Sequence, residues 1–512
     1  MLRKAVWISA LASALALLSS IGGLAADSAV SQEPSPLADC SNGTQTGRNY
    51  VSAEVEPSLA VSGTQMIGMF HQDRWSNGGG HGIGVVHLDQ VKGWQQTTLG
   101  SDMCDTPATS PLHIYQRSSD PWVSFSKDGD IAYASALSFN NTNNFNAVVA
   151  GSSTDGGANW TMTAIPGSVF TQTNQSTDKN ATTADPIHNT WAYTVWDTLL
   201  GPTDQPDDNP HAQAYTGPAY FSKTTDGGQT WGQAKIIINT ANRQQTIGNI
   251  IVVDPTNGDL YDFTDLIVSP NTPFQGTRSN AQLAFVKSTD GGSTWTQPQI
   301  IAPFNSLGVR DPNTGELLRV GDGLEEVAIG GDGKLYVVWE SSTRYQKQLK
   351  QSRGAWDDEI LLTTSSNGGT TWSGPTVVRH LDSGLPTYTP TVAVNGTRVA
   401  ITYYDNRFLQ PGQTDVLPTD YWASISTDGG PWVEQRITAK SFDQRSAPVA
   451  RGFFLGDYEG LQPSGSGFEA MFVKTNCDEP YTGTFCGDAN YTGRVPQTLN
   501  TNPTDVFVAT LA

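Results

Sequence analysis

Ser153-Thr154-Asp155-Gly156-Gly157-Ala158-Asn159-Trp160 is the phrase that decides the fold, because it returns along the chain. It stands again at Thr224 to Trp231, at Ser288 to Trp295, and at Ser365 to Trp372, where Asn367 replaces the aspartate. A copy one residue short runs from Ser426 to Trp432. A worn copy ends at Trp94, with Asp89 in the acidic place and Gln90 and Val91 where glycines are expected. The six tryptophans are 60 to 77 residues apart. Self-similarity at a steady period is the signature of a repeat architecture.

The phrase reads as a hairpin turn. Two glycines supply positive φ without steric cost, and the Asp and Ser side chains can hydrogen-bond turn backbone. Apolar runs precede it, as in Ala281 to Val286, and strand-like residues follow, as in Lys235 to Ile238. Six copies of one turn are read as structural rather than as six catalytic or metal-binding aspartates.

A second unit recurs between the turns. Glu56 to Val61 precedes Met66 to His71, and Asp120 to Phe125 precedes Ile131 to Ser135. Five further pairs follow, starting at Asn180, Asn249, Glu325, Pro390 and Asp457. Each is a β run, a polar turn and a second β run. With a third run and the turn phrase, each repeat makes about four strands, the unit of a β-propeller blade. The expectation is an all-β, seven-repeat propeller, with six blades as the second choice. The seventh repeat lacks a fourth strand, which the stretch from Tyr50 to Val55 could supply and so remove the open edge.

Arg3 and Lys4, the apolar run Ala5 to Leu18, and small residues before Asp27 have the form of a secretory signal peptide over residues 1–26. Residues 27–49 are read as a loose leader and 50–512 as the propeller domain. A secreted protein without membrane insertion is expected, and a monomer. The chain has 52 glycines and a net charge of −20. That charge argues against nucleic acid, which requires a basic face, and is read as extracellular solubility. Of the four cysteines, Cys477 and Cys486 share a loop and are paired. Cys40 is then left for Cys104, in a compartment that permits disulfides.

Charged residues gather after the second strands, at Asp73-Arg74, Asp197, Asp265, Glu340 with Arg344, and Asp405-Asn406-Arg407. Others precede the first strands, at Glu54, Glu56, Asp120, Asp178-Lys179, Asp322 and Asp457-Tyr458-Glu459. In a propeller both sets lie on one face near the axis. The bland alternative is salt bridges between blades. His71, His81 and His87 show no zinc spacing. Asp204 to His211 offers oxygen ligands for structural calcium without the spacing of a known loop. No metal or other cofactor is expected.

The turn phrase resembles the Asp box, or BNR repeat, of the sialidase superfamily. That resemblance implies a propeller whose boxes are structural turns away from the active site. It also implies a sialidase-like glycosidase with three arginines for the substrate carboxylate, a Tyr nucleophile helped by a Glu, and an Asp acid/base. Candidates for these roles, by place along the repeats and not by a matching motif, are Arg74, Arg344 and Arg407; Tyr458 and Tyr404; Glu340 or Glu326; and Asp120 and Asp73. Two departures stand out: sialidase catalytic domains have six blades, and their Arg-Ile-Pro has no counterpart here. The expected function is hydrolysis of terminal, sialylated glycans. The alternatives are a non-catalytic glycan- or protein-binding propeller and another carbohydrate-active enzyme, such as a polysaccharide lyase.

Overall fold

The structure, a computed structural model, describes residues 27–172, 174–201, 216–268, 281–306, 308–321, 324–342, 358–381, 384–482, 486 and 501–512. The signal-peptide stretch, the 204–211 loop, Asp322 and Arg344 lie outside the described residues. The regular structure described is all strand apart from two short 3-10 turns at Pro111–Ile114 and Gln444–Ser446.

The strands form antiparallel units of four in chain order, an arrangement consistent with a β-propeller. The first unit is Val55–Ser62, Gln65–Gln72, Gly82–Asp89 and Gly93–Thr98; the second begins at Arg117–Phe125. The third to sixth begin at Gln175–Ala184, Gln244–Val253, Glu326–Ile329 and Thr387–Asn395. A two-residue strand, Thr216–Gly217, pairs in parallel with Gln244 and Gln245 and joins the third unit to the fourth. The seventh is Gly460–Ser464, Gly467–Thr475 and Thr501–Leu511. Its fourth place is taken by Ser28–Ala29, antiparallel to Val508 and Phe507. The expected stretch contributes differently, since Val51–Ala53 runs parallel beside Thr501 and Thr504 on the same strand. Each unit's first strand packs beside the first strand of the next, and Gly460–Ser464 packs beside Val55–Ser62.

The turn phrase connects third and fourth strands. Ser153 Oγ donates to Asp155 at 2.8 Å and accepts the Gly157 N–H at 3.0 Å. Asp155 Oδ1 in turn accepts the Asn159 N–H at 3.0 Å. The same bonds recur around Asp226 and Asp290. Asn367 serves equally well, because its amide oxygen accepts from Thr371 N at 2.9 Å. The short copy differs, with Ser426 Oγ donating to the Gly430 carbonyl instead.

The second glycine has a further reason. A Cβ on Gly292 would lie 2.3 Å from Phe221 Cζ, and one on Gly369 2.5 Å from Phe285 Cζ, each a residue of the preceding unit. The box tryptophans meet the same rings edge-on, Trp295 against Phe221 and Trp372 against Phe285. The box therefore closes a hairpin and seats it on its neighbour. Gly292→Ala, at φ +82°, is expected to cost about 2–4 kcal/mol from left-handed strain and overpacking. Gly93→Ala, at φ +78° with open space around it, should cost only ~1 kcal/mol. Urea unfolding of the two variants checks the difference.

Both disulfides are those expected, Cys40–Cys104 and Cys477–Cys486. No described helix is long and apolar enough to cross a membrane.

Candidate functional site

The first strands are bulged at one recurring place, where register shifts between Val55 and Ser58, Ser119 and Trp122, Asp178 and Asn180, Ile247 and Ile250, and Tyr388 and Thr391. Bulges re-aim side chains and recur beside functional sites. Four of these bulges hold a residue at positive φ: Glu56, Asp120, Gly248 and Thr389. Three are not glycine, so strain is stored there.

A bulged backbone leaves N–H groups that need acceptors. Second-strand ends of the preceding units supply them. Asp197 Oδ2 accepts the Gly248 N–H at 2.8 Å, and Glu340 Oε2 the Thr389 N–H at 3.3 Å. His71 holds the same place opposite the Asp120 N–H, at 2.7 Å. Glu340, read from sequence as a helper of the nucleophile, is thus a latch between units, buried and also bonded by Ser306 Oγ. Asp73 accepts the Ser52 N–H at 2.7 Å and faces His81 at 3.1 Å, and so anchors a turn.

Around the remaining bulges a charged cluster forms. His71 Nε2 lies 3.0 Å from Glu56 and 3.8 Å from Asp120 Oδ1. Arg74 Nη1 donates to His71 Nδ1 at 3.1 Å. Nε2 can accept the Asp120 N–H only when it carries no proton, and can donate to Glu56 only when it does, so the two contacts belong to different protonation states of the ring. Burial and the two nearby guanidiniums of Arg74 and Arg319 hold the imidazole below its ordinary pKa.

Arg319 was not foreseen. It sits in a hairpin, Val309–Arg310 with Leu317–Arg319, between the fourth and fifth units. That hairpin pairs in parallel with Phe453–Phe454, bringing Arg319 beside Phe454. The buried pair Arg445–Asp311 pins it, Nε to Oδ2 at 2.8 Å. Arg319 binds Asp457 through two nitrogens, Nε at 3.2 Å and Nη2 at 2.5 Å. The guanidiniums of Arg74 and Arg319 both stack on the Phe454 ring, at 4.8 and 4.2 Å. The available signal was a turn, Asp311-Pro312-Asn313-Thr314-Gly315, between short apolar runs lying outside the repeat.

Lys179 closes the other side. Its ammonium is buried, has no hydrogen-bond partner among the described residues, and lies 3.6 Å from the Tyr458 ring centre and 4.1 Å from that of Trp122. Desolvation lowers its pKa against the pull of Glu326 and Asp120. Burial pushes Glu326 up to about 7. Asp120 also rises to about 7, through burial and then the charges of Glu56 and Asp178. Its side chain keeps 14 % of its exposure, while Arg319 keeps 25 % and Asp457 19 %. These three face solvent over a buried floor.

Of the residues expected from sequence, Asp120, Arg74 and Tyr458 come together here. Tyr458 is buried, with its hydroxyl 3.5 Å from the Pro121 carbonyl and its pKa raised well above normal by burial. Arg407 turns elsewhere. It pairs with Asp405 and with Glu434 on an outer strand, and lies 3.4 Å from the Trp422 ring centre. The alternative Tyr404 does have a Glu partner, Glu459 at 2.8 Å, but both are locked in the core with the Val473 carbonyl. Glu56, His71 and Asp120 could offer a metal one ligand atom each within 4.8 Å. Both imidazole nitrogens are already engaged and two guanidiniums stand close, so the donor set suits a salt-bridge cluster better than a cation.

No protein-family model and no curated protein sequence matches the chain. Among solved structures it is similar to the phage phi92 endosialidase, at 10% identity over 95% of this chain and 69% of that one, TM-score 0.46. It is similar to the Hadza microbial sialidase Hz136 at 14% identity, 76% and 66% coverage, TM-score 0.42. The GH93 α-L-arabinofuranosidase of Fusarium graminearum gives 13% identity, 71% and 93% coverage, TM-score 0.39. These likenesses are too distant to bear on the activity of this chain.

Proposed function

We propose that the protein is a secreted, seven-bladed β-propeller glycosidase acting on terminal anionic glycans, sialylated ones first among them. The ring reading is supported by the succession of first strands, seventh back to first, and by Ser28–Ala29 completing the seventh sheet. Two disulfides are compatible with an extracellular location.

One observation carries the functional reading. Asp120 is a strained, partly exposed carboxyl held near a pKa of 7, beside two guanidiniums stacked on one aromatic ring. A carboxyl so raised can donate a proton to a leaving oxygen. Arginine forks suit a substrate carboxylate. Asp120 is the proposed proton donor, and Arg319, backed by Arg74, the proposed carboxylate contact. Tyr458 can attack only after a base takes its proton; the carboxylates acting on it most strongly are Glu56, Asp120, Asp457 and Glu326. Arg344 remains a proposed third contact.

The test compares wild type with Arg319→Lys, which keeps the charge but loses the fork. KM for a fluorogenic sialoside should rise about tenfold, with kcat for an uncharged glycoside unchanged. Binding of sialosides without turnover would make the protein a glycan-binding module. Neither binding nor turnover would end the glycan reading.

A further inference from the structure

Away from this cluster, three carboxylates meet where the N-terminal segment crosses the last strand. Glu33 follows Ser28–Ala29, Glu54 stands between Val51–Ala53 and Val55–Ser62, and Asp505 lies in Thr501–Leu511. One oxygen from each lies within 4.8 Å of the others. Two oxygens bound to one calcium ion, each at about 2.3–2.6 Å, are separated by at most ~5 Å, so the spacing fits a shared ion.

Glu54 is wholly buried. Its Oε1 takes the Gln72 amide, and its Oε2 is buried and receives no N–H or hydroxyl donor of Ser, Thr or Tyr among the described residues. Asp505 accepts from Ser31 Oγ through Oδ1 at 3.0 Å, and it is also hydrogen-bonded by Asn476 and by the Glu54 carboxyl, a pair that must share a proton where no cation stands between them. Asp73 adds a further negative charge to the surroundings of Glu54. The cation acting on Asp505 is Lys474. Its ammonium is already committed to Asp27 at 3.0 Å and Asp478 at 3.2 Å. Carboxylates buried side by side, as Glu54 and Asp505 are, are costly while both are charged.

We propose that Glu33, Glu54 and Asp505 hold a calcium ion that clasps the N-terminal segment to the last strand. An all-oxygen, carboxylate donor set selects a hard cation. Calcium is favoured over magnesium because it accepts irregular geometry, and water can complete its shell on the side of the exposed Glu33. The ion reinforces a thin seam, where Ser28–Ala29 gives only two paired residues to that strand. Because its ligands come together only in the folded chain, binding adds to folding stability.

The experiment uses the mature chain, freed of metal by chelator and dialysis, at pH 7.5. Calcium is titrated by calorimetry, and melting curves are taken with calcium, magnesium or chelator. One ion should bind with loss of affinity of about tenfold or more in Glu54→Gln, and calcium at saturation should raise Tm by about 5 °C. Glu33→Gln, at the surface, gives the same reading should Glu54→Gln fail to fold. Undiminished affinity in Glu33→Gln would put the ion elsewhere in the chain and overturn the proposal. So would the absence of any calcium-dependent heat or shift, which would leave the carboxyls neutralised by protons.

Discussion

Asp120→Asn should lower glycoside turnover by about 10²–10⁴-fold while leaving the melting temperature within a degree or two of wild type. The two halves of this result rest on different physics. The carboxyl sits at φ +51°, and asparagine is among the few residues that tolerate the left-handed region. Burial and the neighbouring Glu56 already favour the neutral acid, so a neutral amide meets little electrostatic cost. Ser119 Oγ, which donates to Oδ1 at 2.5 Å, can donate equally to the amide oxygen. What the amide lacks is a proton to give. Turnover in Asp120→Asn equal to wild type would remove Asp120 from the chemistry. A large loss of stability would make it a scaffold residue.

The protein should also be more stable in mild acid than in mild base, with a melting temperature roughly 5 °C higher at pH 5 than at pH 8.5 in chelating buffer. Burial raises Asp197 to about 8 and Glu326 to about 7. It raises Asp405 and Asp457 to about 6. Asp262, Glu325 and Glu459 are pushed well above the usual range by the same cause. Each of these groups binds a proton when folded at a pH where the unfolded chain has lost it. Their contribution is full below the unfolded pKa near 4 and is lost as pH rises through 6 to 8. The box aspartates act oppositely. Hydrogen bonds from Thr294 hold Asp290 down to about 2, and Asp155 and Asp226 are lowered too. Their contribution is present above pH 4 and fades towards pH 2, so the maximum falls between. A melting temperature that is flat, or that climbs towards pH 8.5, would show that these carboxyls are solvated or paired.

Much of the architecture was legible because it repeats. The box turn appears in sequence as spaced Ser or Thr, Asp or Asn, Gly and Trp, and the bonds of the hydroxyl and of the Asp or Asn oxygen recur in each full copy. The strand pairs were legible through their alternation. Ser28–Ala29 was not, because a two-residue strand carries no periodicity, and its partner lies at the other end of the chain. The site was half legible. Glu56, Asp120, Lys179 and Tyr458 were expected on one face by counting strands, and they lie in one cluster. The acids after second strands looked like the same kind of residue. Asp197 and Glu340 instead serve bulged backbone in the next unit, a need invisible without the bulge register. Arg407 misleads in another way: its turn directs it outward onto Trp422 and Glu434. Arg319 escaped because its hairpin belongs to no repeat, and only its pairing with Phe453–Phe454 brings it to Arg74.

The seam also bears on how the molecule comes into being. Ser31 and Asp505 are bonded across 474 positions of the chain, and Ser28–Ala29 has no sheet to join until Thr501–Leu511 has been synthesised. Pairings this remote exact the full entropy of loop closure before returning any contact. The earlier sheets can each fold as hairpins in turn, but the first-made residues must wait, unpaired, for the last. Until Ser28–Ala29 docks, the Thr501–Leu511 strand offers its outer edge to any neighbouring chain. A lower density of chains in the expression host should therefore favour the monomer over aggregates, since edge pairing between chains grows with their concentration.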